Sequence, residues 1–336
     1  VPKLAVGETP NFAARLQGLA RADHIVIGTS TRRLVGAAFD CEDLGNHTLK
    51  GIVEPVQAWR VLGLSQSEGR FDASHASGLT SMVAREEELA LLLRRWEQAK
   101  DGEGQAVLLS GEPGIGKSRI VQALREHIAS QPHTRMRFQC SAFYTNSALH
   151  AVIEHLERAA GFEREDSADR RLDKLEALLR EAEADTTASV PLIAALLSLP
   201  TDRYPTLNLS PQKQKERTLE SFIGQQLGLS RKRPVLMTIE DVHWIDPTFQ
   251  ELLDLTLPRI AKARVLMVLT CRPGHTSRWG AQAHVTTLAL NRLGERASSA
   301  MIAELIGGRT LPSEVLKQIL ARTDGVPLFV EPSSVH

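Results

Sequence analysis

The stretch LLSGEPGIGKSRI, residues 108–120, decides the fold of the longer part of this 336-residue chain. Gly111, Gly114, Gly116, Lys117 and Ser118 stand in the spacing GxxxxGK[ST]. Glycines in this order let the backbone curl so that successive N–H groups point inward at an anion, and a helix N-terminus behind them adds partial positive charge. A lysine here reaches the β- and γ-phosphates of a nucleotide, and the following serine hydroxyl can ligate Mg²⁺. The pattern is short, but its surroundings are the ones it requires. An apolar run, QAVLLSG (105–111), precedes it and an amphipathic segment, KSRIVQALREHIAS (117–130), follows.

Outward from this loop the chain alternates strand and helix. TRMRFQC (134–140), PVLMTIED (234–241), ARVLMVLTCR (263–272) and VTTLAL (285–290) read as further strands. Helical periodicity spans about 85–99, 147–160, 170–186, 212–228, 295–306 and 313–323. The order predicts an α/β fold with a parallel sheet covered on both faces, a three-layer αβα arrangement over 82–290, and a helical extension over 291–336. A phosphate loop needs a second metal anchor at the end of a neighbouring strand, and Glu240 and Asp241 end one. By order, Glu240 takes the Mg²⁺ position beside Ser118 and Asp241 the base position, with Asp246 a third candidate. Arg272 ends the next strand, where a cation can stabilise transferring charge. His243 and Trp244 are read as loop packing.

Residues 1–64 have a different character, helix and strand followed by antiparallel β segments, and 65–81 are rich in Ser, Gly and Asp and read as a linker. In GETPNFAARLQGLA (7–20), Thr9 is expected to cap a helix and Phe12, Leu16 and Leu19 to form its buried stripe. Asn11 and Arg15 lie one turn apart on a neighbouring, more polar face.

Composition narrows the rest. Lys+Arg and Asp+Glu are equal at 40 each, so no global electrostatic footprint for nucleic acid exists. No apolar run is long enough to suggest a membrane span, and no signal-peptide pattern is present. Three cysteines, Cys41, Cys140 and Cys271, stand far apart, which argues against a disulfide framework and fits a reduced, cytoplasmic setting.

On these residues, 82–331 resembles the STAND branch of AAA-type P-loop NTPases, the ATPase modules of bacterial signalling proteins. VAREEEL (83–89), GEPGIGKS (111–118), IEDVHWID (239–246), LTCRP (269–273) and RTDGVPLFVE (322–331) carry the likeness in the family's order. The resemblance implies ATP as ligand with Mg²⁺, Arg85 beside the adenine, Arg272 at a sensor position, and Gly325 and Pro327 in a GxP motif against the base. The family's glycine before that arginine is replaced by Ala84, with either a mild effect or a tightened turn near the base expected. The family also continues past the LFVE helix, so the expectation is a truncated lid, completed if at all by another chain.

VGETPNFAARLQ (6–17), VIGTSTRRL (26–34) and LGNHTLKGIVEPVQAWRVL (44–62) resemble the last third of a class III adenylate/guanylate cyclase domain. That implies a partial ferredoxin-like α+β fold, with Asn11 and Arg15 as the family's transition-state pair and its metal aspartates upstream. The expected function is therefore an ATP-binding, slowly hydrolysing signal-transduction module attached to an incomplete cyclase domain. The alternatives are cyclic-nucleotide synthesis with a partner chain or a missing upstream segment, and an ATP-binding regulatory scaffold without turnover.

Overall fold

The computed structural model describes residues 7–36, 39–64, 82–182, 186–275, 279–280, 282–309 and 311–330. They divide into two units, one before and one after the 65–81 segment, which itself lies outside the described residues.

The first unit holds α1 (Glu8–Gln17), β1 (Ile25–Gly28), α2 (Thr29–Val35), β2 (Phe39–His47) and β3 (Val56–Leu64). The strands pair antiparallel in the order β1-β3-β2. Leu16, Leu49 and Ala58 are its buried centre, with Phe12 and Leu19 packed against them, as the helical stripe requires. Thr9 does not cap α1. The helix starts two residues earlier, at Glu8 behind Gly7, and no side chain caps it. Gly28 is fixed by close approach, since a Cβ there would lie 2.9 Å from the Phe12 ring.

The second unit begins with α3 (Glu86–Lys100), β4 (Gln105–Ser110), α4 (Lys117–Ile128), β5 (Thr134–Gln139) and α5 (His150–Ala159). It continues through α6 (Ala168–Arg180), α7 (Ser189–Leu196), α8 (Pro211–Lys232), β6 (Val235–Glu240), α9 (Pro247–Ile260), β7 (Val265–Cys271) and β8 (Val285–Ala289). Three helices close it, α10 (Glu295–Leu305), α11 (Ser313–Thr323) and α12 (Pro327–Val330). Its five strands are all parallel in the order β5-β6-β7-β4-β8. The central strands β6 and β7 are buried at every position, which is why they read as unbroken apolar runs.

Alternate residues of each strand feed two apolar layers. Met136, Phe138, Met237, Ile239, Met267 and Leu269 pack with helices between 150 and 260 on one face. Val107, Leu109, Leu236, Leu266 and Val268 pack with α3 and α4 on the other. Trp96, fully buried in that second layer, satisfies its indole N–H on Gln131 Oε1 at 2.9 Å. A turn at Gly104 lets the chain pass the end of α9 so closely that a Cβ would sit 1.8 Å from the Ile260 carbonyl. None of the described helices is long and apolar enough to cross a membrane.

Candidate phosphate site

The parallel order puts β4 beside β7, and β7 beside β6, so the loops leaving these three strands gather at one edge of the sheet. In open α/β sheets that carboxyl edge is where ligands bind. The loop after β4 turns through Gly114 (φ 76°) and Gly116 (φ 98°), both in the left-handed region that glycine enters without strain. The helix α4 starts directly at Lys117 behind Gly116, and no side chain caps its first N–H groups.

Lys117 is buried, and its ammonium group donates to the carbonyls of Gly111 (2.7 Å) and Glu112 (2.9 Å). It is thus parked on the loop's own oxygens. Burial holds its pKa below the ordinary lysine value, with the Asp241 charge opposing that shift and Arg272 adding to it. The lysine, the acid after β6 and the arginine after β7 therefore share one electrostatic neighbourhood.

The two acids after β6 have different surroundings. Glu240 is buried and engaged through Oε1 by Arg137 of β5, from Nε at 3.0 Å and from the guanidinium end at 2.8 Å. Asp241 leaves the strand at φ 57°, donates its N–H to the Thr270 hydroxyl (3.0 Å) and accepts from Gln139 Nε2 (3.1 Å). Asp246, the third candidate, is spent on structure. Its carboxylate is the N-cap of α9, accepting from the N–H groups of Thr248 and Phe249, and it also accepts from Leu149 N–H at 3.1 Å.

Arg272 is exposed, and its guanidinium lies 5.8 Å from the centre of the Trp244 ring, a cation–π distance. Arg85 is buried and tied to Glu88 Oε1 (2.9 Å) and to the Asn291 carbonyl (2.5 Å), which fastens the start of α3 to the segment after β8. Ala84 before it carries φ 56°, a conformation that glycine adopts more readily than alanine. Pro327 opens α12, and the next residue's N–H donates to Gly114 O of the phosphate loop at 3.2 Å. Gly325 has φ 71°, and a Cβ there would lie 2.4 Å from the Leu293 carbonyl.

Two participants were not foreseen. Arg137 was signalled only by the polar alternation Arg135, Arg137, Gln139 along β5. Arg292 clasps Glu112 of the phosphate loop through a two-pronged contact of 2.8–3.1 Å and also pairs with Asp324, so it joins the loop to the segment before Pro327. No sequence spacing marks it.

The sequence of residues 81–268 matches the AAA ATPase domain, over more than half of the chain. The chain belongs to the AAA ATPase domain family. Its similarity extends to a curated protein of Rhizobium meliloti (strain 1021), described only as uncharacterized, at 30% identity over 324 residues. That match covers 95% of this chain and 31% of the relative, so the chain spans less than a third of the relative's length. Among solved structures, this AAA ATPase domain chain is similar to a STAND protein with a tetratricopeptide repeat sensor from Pyrococcus horikoshii. That likeness has a TM-score of 0.40 and 14% identity, covering 75% of this chain and 29% of the other. RuvB from Thermotoga maritima gives a TM-score of 0.39 at 15% identity, covering 74% and 59%.

The family match begins at residue 81 and does not reach the cyclase resemblance of residues 1–64, which the comparisons leave without support. In that first unit Asn11 and Arg15 are both exposed on α1, and the Arg15 guanidinium lies against the Gly51 turn, 3.2 Å from where a Cβ would stand.

Proposed function

We propose that the AAA ATPase domain of this chain binds ATP with Mg²⁺ and hydrolyses it slowly, as a switch in signal transduction. The observation that carries this reading is the uncapped start of α4 behind two left-handed glycines, with the Lys117 ammonium folded over the same loop. The residues suit the group. A triphosphate offers Lys117 better acceptors than the two peptide carbonyls it now holds, and the open N–H groups of the loop and helix receive phosphate oxygens. Mg²⁺, when bound, neutralises charge on the β- and γ-phosphoryl oxygens and so lowers the barrier to transfer.

In this reading Ser118 supplies a hydroxyl and Glu240 a carboxylate to the metal, and Arg137 fixes the orientation of Glu240 by holding Oε1. Such a site uses few protein ligands, as Mg²⁺ sites built around phosphates do. Asp241, not tied to an arginine in the same way, orients and polarises the attacking water. Arg272 leaves the Trp244 face to meet charge developing on the transferred group. Arg85 and Pro327 border the base. A direct test is equilibrium binding of Mg-ATP to the native chain and to Lys117→Ala. Equal affinities would sink the reading. Multiple-turnover phosphate release then separates a slow ATPase from a binding-only switch.

A second reading concerns residues 7–64, which we assign to the C-terminal part of a class III cyclase-like domain. Its support is the exposed Asn11–Arg15 pair, one helical turn apart, suited to a ribose and a phosphoryl group. The family's metal aspartates have no counterpart in these residues, so cyclic-nucleotide synthesis would need them from a partner chain of the same or a cyclase type or from an upstream segment. Cyclic nucleotide made by the purified chain alone, and lost in Arg15→Ala, would contradict this.

A further inference from the structure

The turn after β6 carries His243, whose ring has no hydrogen-bonding partner among the described residues. Its Nδ1 and Nε2 are both shielded from solvent. A buried polar atom without a partner is uncommon and marks either strain or a missing group. Here two such atoms sit on one ring.

The backbone beneath the ring is well fixed. Asp241 turns the chain off the strand, Trp244 N–H donates to Asp241 O at 2.9 Å, and Ile245 N–H donates to Val242 O at 3.2 Å. Val242 is completely buried and pins the turn to the core. The imidazole stands beside the Trp244 indole, ring centres 5.1 Å apart, and that indole is the surface on which Arg272 rests. Its protonation is depressed first by burial, then by the nearby charges of Arg272, Lys117 and His275 against the opposing pull of Asp241. Three of those four groups belong to the phosphate site described above. The ring therefore borders the place where the outer phosphate of a nucleotide lies when Lys117 and Arg272 turn toward it.

We propose that His243 contacts the γ-phosphate and makes the site discriminate ATP from ADP. Rotation of its side chain on the fixed turn brings a ring N–H to a terminal phosphoryl oxygen. The orphaned nitrogen gains the acceptor it lacks, and the contact vanishes when the γ-phosphate leaves. No group of ADP reaches that position, so the contact acts on one nucleotide and not on the other. The inference rests on the ATP-binding reading.

The test is equilibrium binding of Mg-ATP and Mg-ADP to the native chain, His243→Phe and His243→Asn. Phenylalanine keeps the ring volume and removes both nitrogens, whereas asparagine keeps a short donor. The expected result is about a tenfold or greater loss of ATP affinity in His243→Phe, the size of a hydrogen bond to a charged group, with ADP affinity unchanged. His243→Asn should recover part of the loss. Native-like ADP affinity in the phenylalanine variant reports an intact site and excludes misfolding as the cause. An unaltered ATP-to-ADP affinity ratio in His243→Phe would overturn the inference while leaving nucleotide binding in place. An equal fall for both nucleotides would also overturn it, because it would make His243 a packing residue. Failure of the native chain to bind either nucleotide would remove the ATP reading and this inference together.

Discussion

His155 makes the stability of the AAA ATPase domain depend on pH in a calculable way. The ring lies on α5, buried against Phe138 with ring centres 4.6 Å apart. Its pKa is lowered to about 4, first by burial and then by the nearby Arg158 charge, with a hydrogen bond to the Arg137 backbone opposing both. In the unfolded chain a histidine titrates near ~6.5. The folded state therefore holds His155 neutral where the unfolded state takes up a proton, and linkage makes stability fall with pH in that window. The contribution is intact above ~6.5 and is lost as pH drops from there toward the folded value. With these two pKa values, lowering pH from about 7.5 to about 5 removes about 2 kcal/mol through this residue alone.

Other groups also titrate over that range, so the measurement is a difference of differences. Equilibrium urea unfolding of the native chain and of His155→Leu, each at both pH values, cancels what the two proteins share. Leucine fills a similar volume beside Phe138 and cannot ionise. The native chain should lose about 2 kcal/mol more than the variant on acidification, whatever the variant's stability at neutral pH. Equal losses in the two proteins would show that His155 is not held neutral, and would refute the argument from burial.

Three further outcomes follow from the contacts described. Asp246→Ala removes the N-cap of α9 and leaves the Leu149 N–H unpaired, so unfolding free energy should fall by about 2–4 kcal/mol in denaturant titrations. Gly325→Ala forces a left-handed alanine into the Leu293 carbonyl, 2.4 Å from the new Cβ, and should cost at least about 1 kcal/mol in the same assay. Arg137→Met frees the carboxylate that Arg137 now orients. The Mg²⁺ concentration giving half-maximal nucleotide binding should rise severalfold while metal-free binding stays level, and an unchanged Mg²⁺ requirement would place Glu240 outside the metal site.

The phosphate loop was legible because its chemistry is local. Gly114 and Gly116 need positive φ, Lys117 must follow them, and both requirements appear as residue types within a few positions. The buried strands were legible for the same reason, since a strand covered on both faces leaves an unbroken apolar run. The short helix α7 was not foreseen. Ser189–Ala194 are all buried, so the segment SVPLIAAL shows no polar face for a helical period to reveal. The placing of β8 beside β4, and not beside β7, the strand before it in the chain, is likewise a tertiary choice that residue types do not encode.

The acids after β6 show where such reading stops. Glu240, Asp241 and Asp246 are three carboxylates within seven positions, and composition cannot rank them. Their roles come from partners about a hundred residues away: Arg137 for Glu240, Gln139 for Asp241 and the Leu149 N–H for Asp246. All three partners belong to β5 or the loop behind it, so the edge strand and that loop give the three acids different surroundings. An edge strand usually answers to solvent and can vary. Here Arg137 and Gln139 point the other way, toward β6, and a substitution on β5 should alter the site as directly as one in the phosphate loop.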